Sequence, residues 1–169
     1  MHKRYLQILV IEDQEADRFM IDRALRRNGL QEEIQFAFSG EEAIAYFEGQ
    51  GKYADRTLYP FPTIVLTDLK MPHGDGFSVL EYLKSKPESK IIPVLVLSAS
   101  ADRDDVKRSY AMGASCYLRK PADIEELGRI LKLFYDFWME CEIPVIDTAG
   151  KQVQTSSQGK LGERFGPVE

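Results

Sequence analysis

Cysteine is scarce in this chain of 169 residues: Cys116 and Cys141 are the only two. Two are too few for the disulfide framework that braces small secreted domains, and they suit one buried and one surface thiol in a reducing compartment. No apolar run approaches the roughly 18 residues that a membrane span needs. At the start, MHKRYLQILVIED, the apolar stretch from Leu6 to Ile11 is interrupted by Gln7 and closed by acids, so it lacks the long hydrophobic region and small-residue cleavage site of a secretory signal. Positive charge is also short. The 22 Lys+Arg stand against 27 Asp+Glu, a formal net charge of −5, whereas nonspecific nucleic-acid binding needs a basic footprint to neutralise phosphates. There is no GxxxxGK[ST] phosphate loop and no internal repeat. These absences predict a soluble, cytoplasmic protein without direct contact to DNA or membrane.

What is there is an ordinary globular composition, 44% hydrophobic and 29% charged. Five short apolar runs recur: Tyr5 to Ile11, Ile34 to Phe38, Ile64 to Thr67, Pro93 to Leu97 and Cys116 to Leu118. Each is followed by a segment of helical spacing, and such alternation predicts a parallel sheet covered by helices on both faces. The first helix, Ala16 to Asn28, carries Phe19, Met20 and Leu25 and stops at Gly29. Ser39 and Glu42 form a capping box for the second, which fades at Gly49. The third, Gly76 to Lys86, carries Phe77, Val79, Leu80 and Leu83 and ends before Pro87. The fourth runs from Arg103 to Met112. On the fifth, Ile124 to Met139, a stripe of Ile124, Leu127, Leu131, Phe134 and Trp138 predicts packing on the sheet, and Leu133 and Phe137 fall off that stripe, which predicts a second burial surface. The loop from Gly49 to Thr63 is longer than usual for its place and is a candidate partner contact. Residues 142–169 read as a weakly ordered extension of a domain over 1–141.

In a doubly wound sheet, ligands bind beyond the carboxyl ends of the strands. Glu12 and Asp13 follow the first run, Asp68 the third, Ser98 ends the fourth, and Lys120 and Pro121 follow the fifth. Three carboxylates at one rim repel one another unless a cation sits among them. Oxygen donors of this kind suit Mg²⁺ better than zinc. A carboxylate beside such an ion is a competent nucleophile towards phosphorus, and a hydroxyl (Ser98) and an ammonium (Lys120) could meet the charge on the phosphoryl oxygens.

The segments ILVIEDQEADR, TIVLTDLKMPHGDGF, VLVLSAS and GASCYLRKP resemble the signature segments of the receiver domain of bacterial two-component response regulators. The resemblance covers roughly residues 5 to 140. It implies a flavodoxin-like, doubly wound, five-stranded parallel sheet of order 2-1-3-4-5. It also implies that Asp68 accepts a phosphoryl group from the phosphohistidine of a sensor histidine kinase. Glu12, Asp13, Asp68 and the backbone carbonyl of Lys70 would hold Mg²⁺, while Ser98 and Lys120 would bind phosphoryl oxygens. Pro121 would follow a cis peptide. Ser98 and Tyr117 would be the switch residues, remodelling the surface of the fourth helix, fifth strand and fifth helix for a downstream protein. Such a domain is a phosphoacceptor rather than an enzyme in the usual sense. The chain departs from the family's commoner residues at Glu12, where aspartate is usual, and at Lys70, where asparagine is frequent.

The long loop and aromatic last helix are similar to those of small single-domain regulators that partner phytochrome-type histidine kinases. Family members of that kind often form homodimers through the fourth and fifth helices, which fits Leu133 and Phe137. Two other readings fail on particular residues: an aspartate-nucleophile phosphatase needs an acid where Lys70 stands, and a flavodoxin needs a hydroxyl-rich phosphate loop where EDQEAD stands. A pseudo-receiver that binds without phosphorylation and a phosphorelay intermediate remain as alternatives.

Overall fold

The computed structural model describes residues 6–29, 34–144 and 146–151. Five strands, β1 (Ile8–Ile11), β2 (Gln35–Ala37), β3 (Ile64–Thr67), β4 (Val94–Ser98) and β5 (Cys116–Arg119), alternate with five helices. The helices are α1 (Glu15–Arg27), α2 (Gly40–Glu48), α3 (Gly76–Ser85), α4 (Arg103–Ala111) and α5 (Ile124–Glu140). The sheet order is β2-β1-β3-β4-β5, and every pairing is parallel. This is the expected flavodoxin-like topology. Tyr5, where the first apolar run begins, and residues 152–169 of the extension lie outside the described residues.

The strands are apolar on both faces because each face is covered. Leu9, Ile11, Val65, Val94 and Val96 pack with Tyr46, Phe47, Leu80 and Leu83 on one side. Ile8, Val10, Leu66, Leu95 and Leu97 pack with Ile21, Leu25, Leu127 and Leu131 on the other. Alternate residues therefore serve opposite cores, as the period of two along a strand requires.

Capping follows the sequence closely. The Ser39 hydroxyl accepts the Glu42 N–H at 3.1 Å, and the Glu42 carboxylate returns to the Phe38 N–H at 2.7 Å. Gly49 ends α2 in the left-handed region, at φ 66°. Two helical stripes differ from expectation. On α1 the buried residues are Ile21 and Leu25, one turn apart, while Phe19 is 63% exposed because two residues of helix turn it about 200° from Ile21. On α5 Leu127, Leu131 and Phe134 are buried, but Ile124, the first residue of the helix, is 52% exposed. Leu133 and Phe137 are exposed, as expected from their place off the stripe.

The long loop turns two of its aromatic side chains inward and leaves Leu58 exposed. Residues Gly51–Ala54 form a short 3₁₀ turn, and Tyr53 and Phe61 are buried in the core on the α2 and α3 side. Arg56 closes the end of α2: its guanidinium donates to the carbonyls of Tyr46 and Phe47, each at 2.8 Å. Beyond α5, Ile143 packs with the core that α1 and α5 cover, Ile146 packs with the opposite one, and the Thr148 carbonyl accepts the Phe61 N–H at 3.0 Å. The chain thus crosses from one face of the sheet to the other at the end remote from the acidic rim.

Candidate phosphoryl-transfer site

Parallel register carries the polar residues to one rim. Ile11 lies beside Thr67, Thr67 beside Val96, and Ser98 beside Arg119, so the residues just beyond these positions converge at the carboxyl ends of the strands. Glu12, Asp13 and Asp68 each present a carboxylate oxygen, and these atoms lie within 4.8 Å of one another. The Lys120 ammonium reaches in from the end of β5 and donates to Glu12 Oε2 at 2.6 Å, Asp17 Oδ2 at 2.8 Å and Asp68 Oδ2 at 3.1 Å.

Each group is held from behind. Asp68 Oδ1 accepts the Leu69 N–H at 2.6 Å, leaving Oδ2 towards Lys120. Gly76 lies so close under this residue that a Cβ there would sit 2.2 Å from the Asp68 carbonyl oxygen, so any larger residue would push the loop out of place. Glu12 is buried, and its Oε1 accepts the Gln14 N–H at 3.0 Å. Burial raises the Glu12 carboxyl above the ordinary carboxylate range, outweighing the pull of Lys120 and the Gln14 N–H. For Lys120 the balance runs the other way: burial favours the neutral amine, but the Asp17 and Glu12 carboxylates overcome it and hold the ammonium form well above the usual range.

Ser98 is buried at the end of β4, with its backbone carbonyl accepting the Lys120 N–H at 2.8 Å and its hydroxyl accepting the Ser100 N–H at 3.3 Å. It stands at the rim without a bond to Asp68 or to the Lys120 ammonium among the described contacts. Lys70 turns outward, and its ammonium pairs with Asp105 on α4 at 3.1 Å. Asp105 also accepts the Ser100 hydroxyl at 2.5 Å, and these two partners, the hydroxyl first, hold its carboxyl low. The Tyr117 hydroxyl donates to the Ser100 carbonyl at 2.9 Å, so Tyr117, Ser100, Asp105 and Lys70 form one chain of contacts along the β4–α4 connection. The Lys120–Pro121 peptide is trans, contrary to the cis expectation: no cis bond occurs among the described residues. The trans form is the ordinary preference of such bonds, by about 0.5–1 kcal/mol.

Two participants were not legible as site residues. Asp17 lies in the first turn of α1, where an acid reads as a favourable charge near a helix N-terminus. Arg18 donates from Nη1 to the carbonyls of Glu12 and Asp13, at 2.8 and 2.7 Å, and so ties α1 to the acidic loop after β1. The available signal was the spacing of Asp13 and Asp17, four apart, just where a helix begins.

The family model of the response regulator receiver domain matches residues 8–132. The chain belongs to this family. As a response regulator receiver it works in two-component signalling, with its acidic pocket where phosphoacceptor chemistry needs it. The response regulator Rcp1 of Synechocystis sp. is 35% identical to this receiver over 133 residues, 79% of this chain and 88% of that protein. The crystal structure of the phosphorylated cyanobacterial phytochrome response regulator RcpA aligns with a TM-score of 0.78 at 36% identity, covering 84% of the receiver and 100% of that chain. The Mn²⁺-bound form of Rcp1 aligns with a TM-score of 0.75 at 33% identity, covering 83% and 99%. The donor set here fits a divalent cation in the same way that its chemistry suggests: hard carboxylate oxygens, more of them than the one nearby ammonium can neutralise.

Proposed function

We propose that Asp68 accepts a phosphoryl group from the phosphohistidine of a sensor histidine kinase. The observation that carries this reading is the carboxylate of Asp68, restrained through Oδ1 and turned through Oδ2 towards Lys120, with the Glu12 and Asp13 carboxylates beside it. An Asp68 oxygen forms its bond to phosphorus as the bond from phosphorus to the donor imidazole nitrogen breaks, and the departing imidazole keeps the electron pair. Lys120 stabilises charge on the phosphoryl oxygens, and the Ser98 hydroxyl meets another once it leaves the Ser100 N–H. Glu12, Asp13, Asp68 and the Lys70 carbonyl are the groups that would hold Mg²⁺, which supplies further neutralisation of phosphoryl charge when bound. Transfer to Asp68 and loss of the group to water are self-catalysed, without a separate substrate turned over as in an ordinary enzyme. Incubation with acetyl phosphate and Mg²⁺ is expected to give an acid-stable, base-labile adduct. Asp68→Asn removes the nucleophile and should abolish it; labelling that persists in that variant overturns the reading.

The same proposal assigns the switch to Ser98 and Tyr117. Movement of the Ser98 hydroxyl towards Asp68 would release Ser100, and with it the Tyr117 and Asp105 contacts that hold the start of α4. The output is then the surface of α4, β5 and α5, presented to a downstream protein. Because relatives of this receiver are phytochrome response regulators by name, a phytochrome-type histidine kinase is the partner proposed. A second copy of the chain is proposed on α5, where Leu133 and Phe137 are 56% and 62% exposed beside a groove lined by Cys116, Leu118 and Trp138. Sedimentation of Phe137→Glu against the parent chain tests it: a smaller species is expected, and equal sizes dispose of the interface. The division into a body over 1–141 and an extension over 142–169 belongs to this proposal, with Ile143, Ile146 and Thr148 tying the start of the extension to the body. Among the described residues no helix is long and apolar enough to cross a membrane.

A further inference from the structure

The Lys120 ammonium has three protons and three carboxylate partners. Phosphoryl chemistry explains two of them, Asp68 as acceptor and Glu12 as a cation ligand. The third, Asp17, stands on a helix rather than at a strand end and lies outside the carboxylate trio that could hold a metal. Its distance to Lys120, 2.8 Å, is shorter than the 3.1 Å from Lys120 to Asp68. The helix turn that carries it is tied to the rim: Arg18, the next residue, bonds the Glu12 and Asp13 carbonyls and lays its guanidinium 4.1 Å over the Phe38 ring. The Lys120 side chain is only 10% exposed, so water cannot readily replace a lost partner.

We propose that Asp17 is a positioning residue for phosphoryl transfer: together with Glu12 it fixes two N–H groups of Lys120 and thereby aims the third at Asp68, where a phosphoryl oxygen would arrive. A lysine is a point charge on a long flexible stem, and without such a tether its ammonium is free to settle against Glu12 alone. Aiming the donor before the reaction removes reorganisation from the transfer step. The role rests on Asp68 being the phosphoacceptor.

The test follows the rate at which phosphoramidate labels the full chain in saturating Mg²⁺. Asp17→Ala is expected to slow labelling about tenfold, and Asp17→Asn, which keeps an acceptor oxygen without the charge, to recover most of that rate. In a Lys120→Ala background, Asp17→Ala should cost nothing further, because no ammonium is left to aim. In ¹H–¹⁵N spectra of the lysine ammonium groups, the slowly exchanging Lys120 signal should be lost in Asp17→Ala and persist in Asp17→Asn, a result that a general loss of folding would not give. Labelling of Asp17→Ala at the parent rate, an equal loss in both backgrounds, or an unchanged Lys120 signal overturns the positioning role while leaving Asp68 as acceptor. A parent chain that takes no label overturns both.

Discussion

At the carboxyl ends of the strands one ammonium, Lys120, serves three carboxylates, with Asp13 close by as a fourth acid. At the opposite end one guanidinium, Arg56, serves backbone carbonyls of α2 and lies 5.9 and 5.5 Å from the ring centres of Tyr46 and Phe61. Both cations are well surrounded, and among the described residues no buried side-chain nitrogen or oxygen lacks a partner. The difference is in the balance of charge. Arg56 meets neutral acceptors and aromatic faces, so that end is complete without any ligand and its contacts contribute to stability. The rim carries more negative charge than Lys120 can neutralise, an arrangement costly to folding but receptive to a cation and to phosphoryl chemistry.

The largest effect that could break this comparison comes from removing the rim's cation. Lys120→Met strands the buried Glu12 carboxylate and the partly buried Asp68 beside it, and is expected to cost about 3 kcal/mol in urea unfolding at pH 7. A cost below that of the corresponding change at the other end would mean that the rim charges are effectively solvated. That change, Arg56→Ala, removes the closure of α2 and two ring contacts and should cost about 2 kcal/mol. Its phosphoramidate labelling should match the parent's, and slowed labelling would show that the two ends are coupled. The smallest effect sharpens the contrast by pH. Burial pushes the Glu42 carboxyl up, but the Tyr53 hydroxyl, the Phe38 N–H and Lys52 together bring it below its ordinary value of 4.5. Its contribution to stability is therefore fully present above pH 4.5 and lost as pH falls through the lowered value of the folded state. Glu42→Gln should flatten that part of the acid unfolding curve; a curve of unchanged slope would remove Glu42 from the account.

Elements with strong local signals were legible in advance. Ser39 and Glu42 read as a capping box and form one, and the stripe Phe77, Val79, Leu80 and Leu83 is buried throughout. Phe19 misled because an apolar residue counts towards a stripe in composition, while only its angle around the helix decides burial; Ile21 and Leu25 hold the inner positions. Within the site, Glu12, Asp13, Asp68, Ser98 and Lys120 could be placed at one rim because each ends or follows an apolar run. Asp17 could not, because an acid in a helix's first turn has a sufficient local explanation. In the long loop, a candidate partner contact from its length alone, the pattern did not separate Tyr53 and Phe61, which are in the core, from Leu58, which is exposed.

The sequence by itself determined the five alternating elements, their caps and the polar residue that each strand delivers, since these depend on neighbours a few positions apart. Only the tertiary structure decided who shares Lys120. Its partners are 108, 103 and 52 residues away along the chain, and their distances follow from sheet order, register and the seating of α1. The same holds for the Lys70–Asp105 pair and for the return of Thr148 to Phe61. Local periodicity fixes the angle of a side chain about its own element, whereas contact between elements depends on how they are packed together, which no single stretch of chain contains.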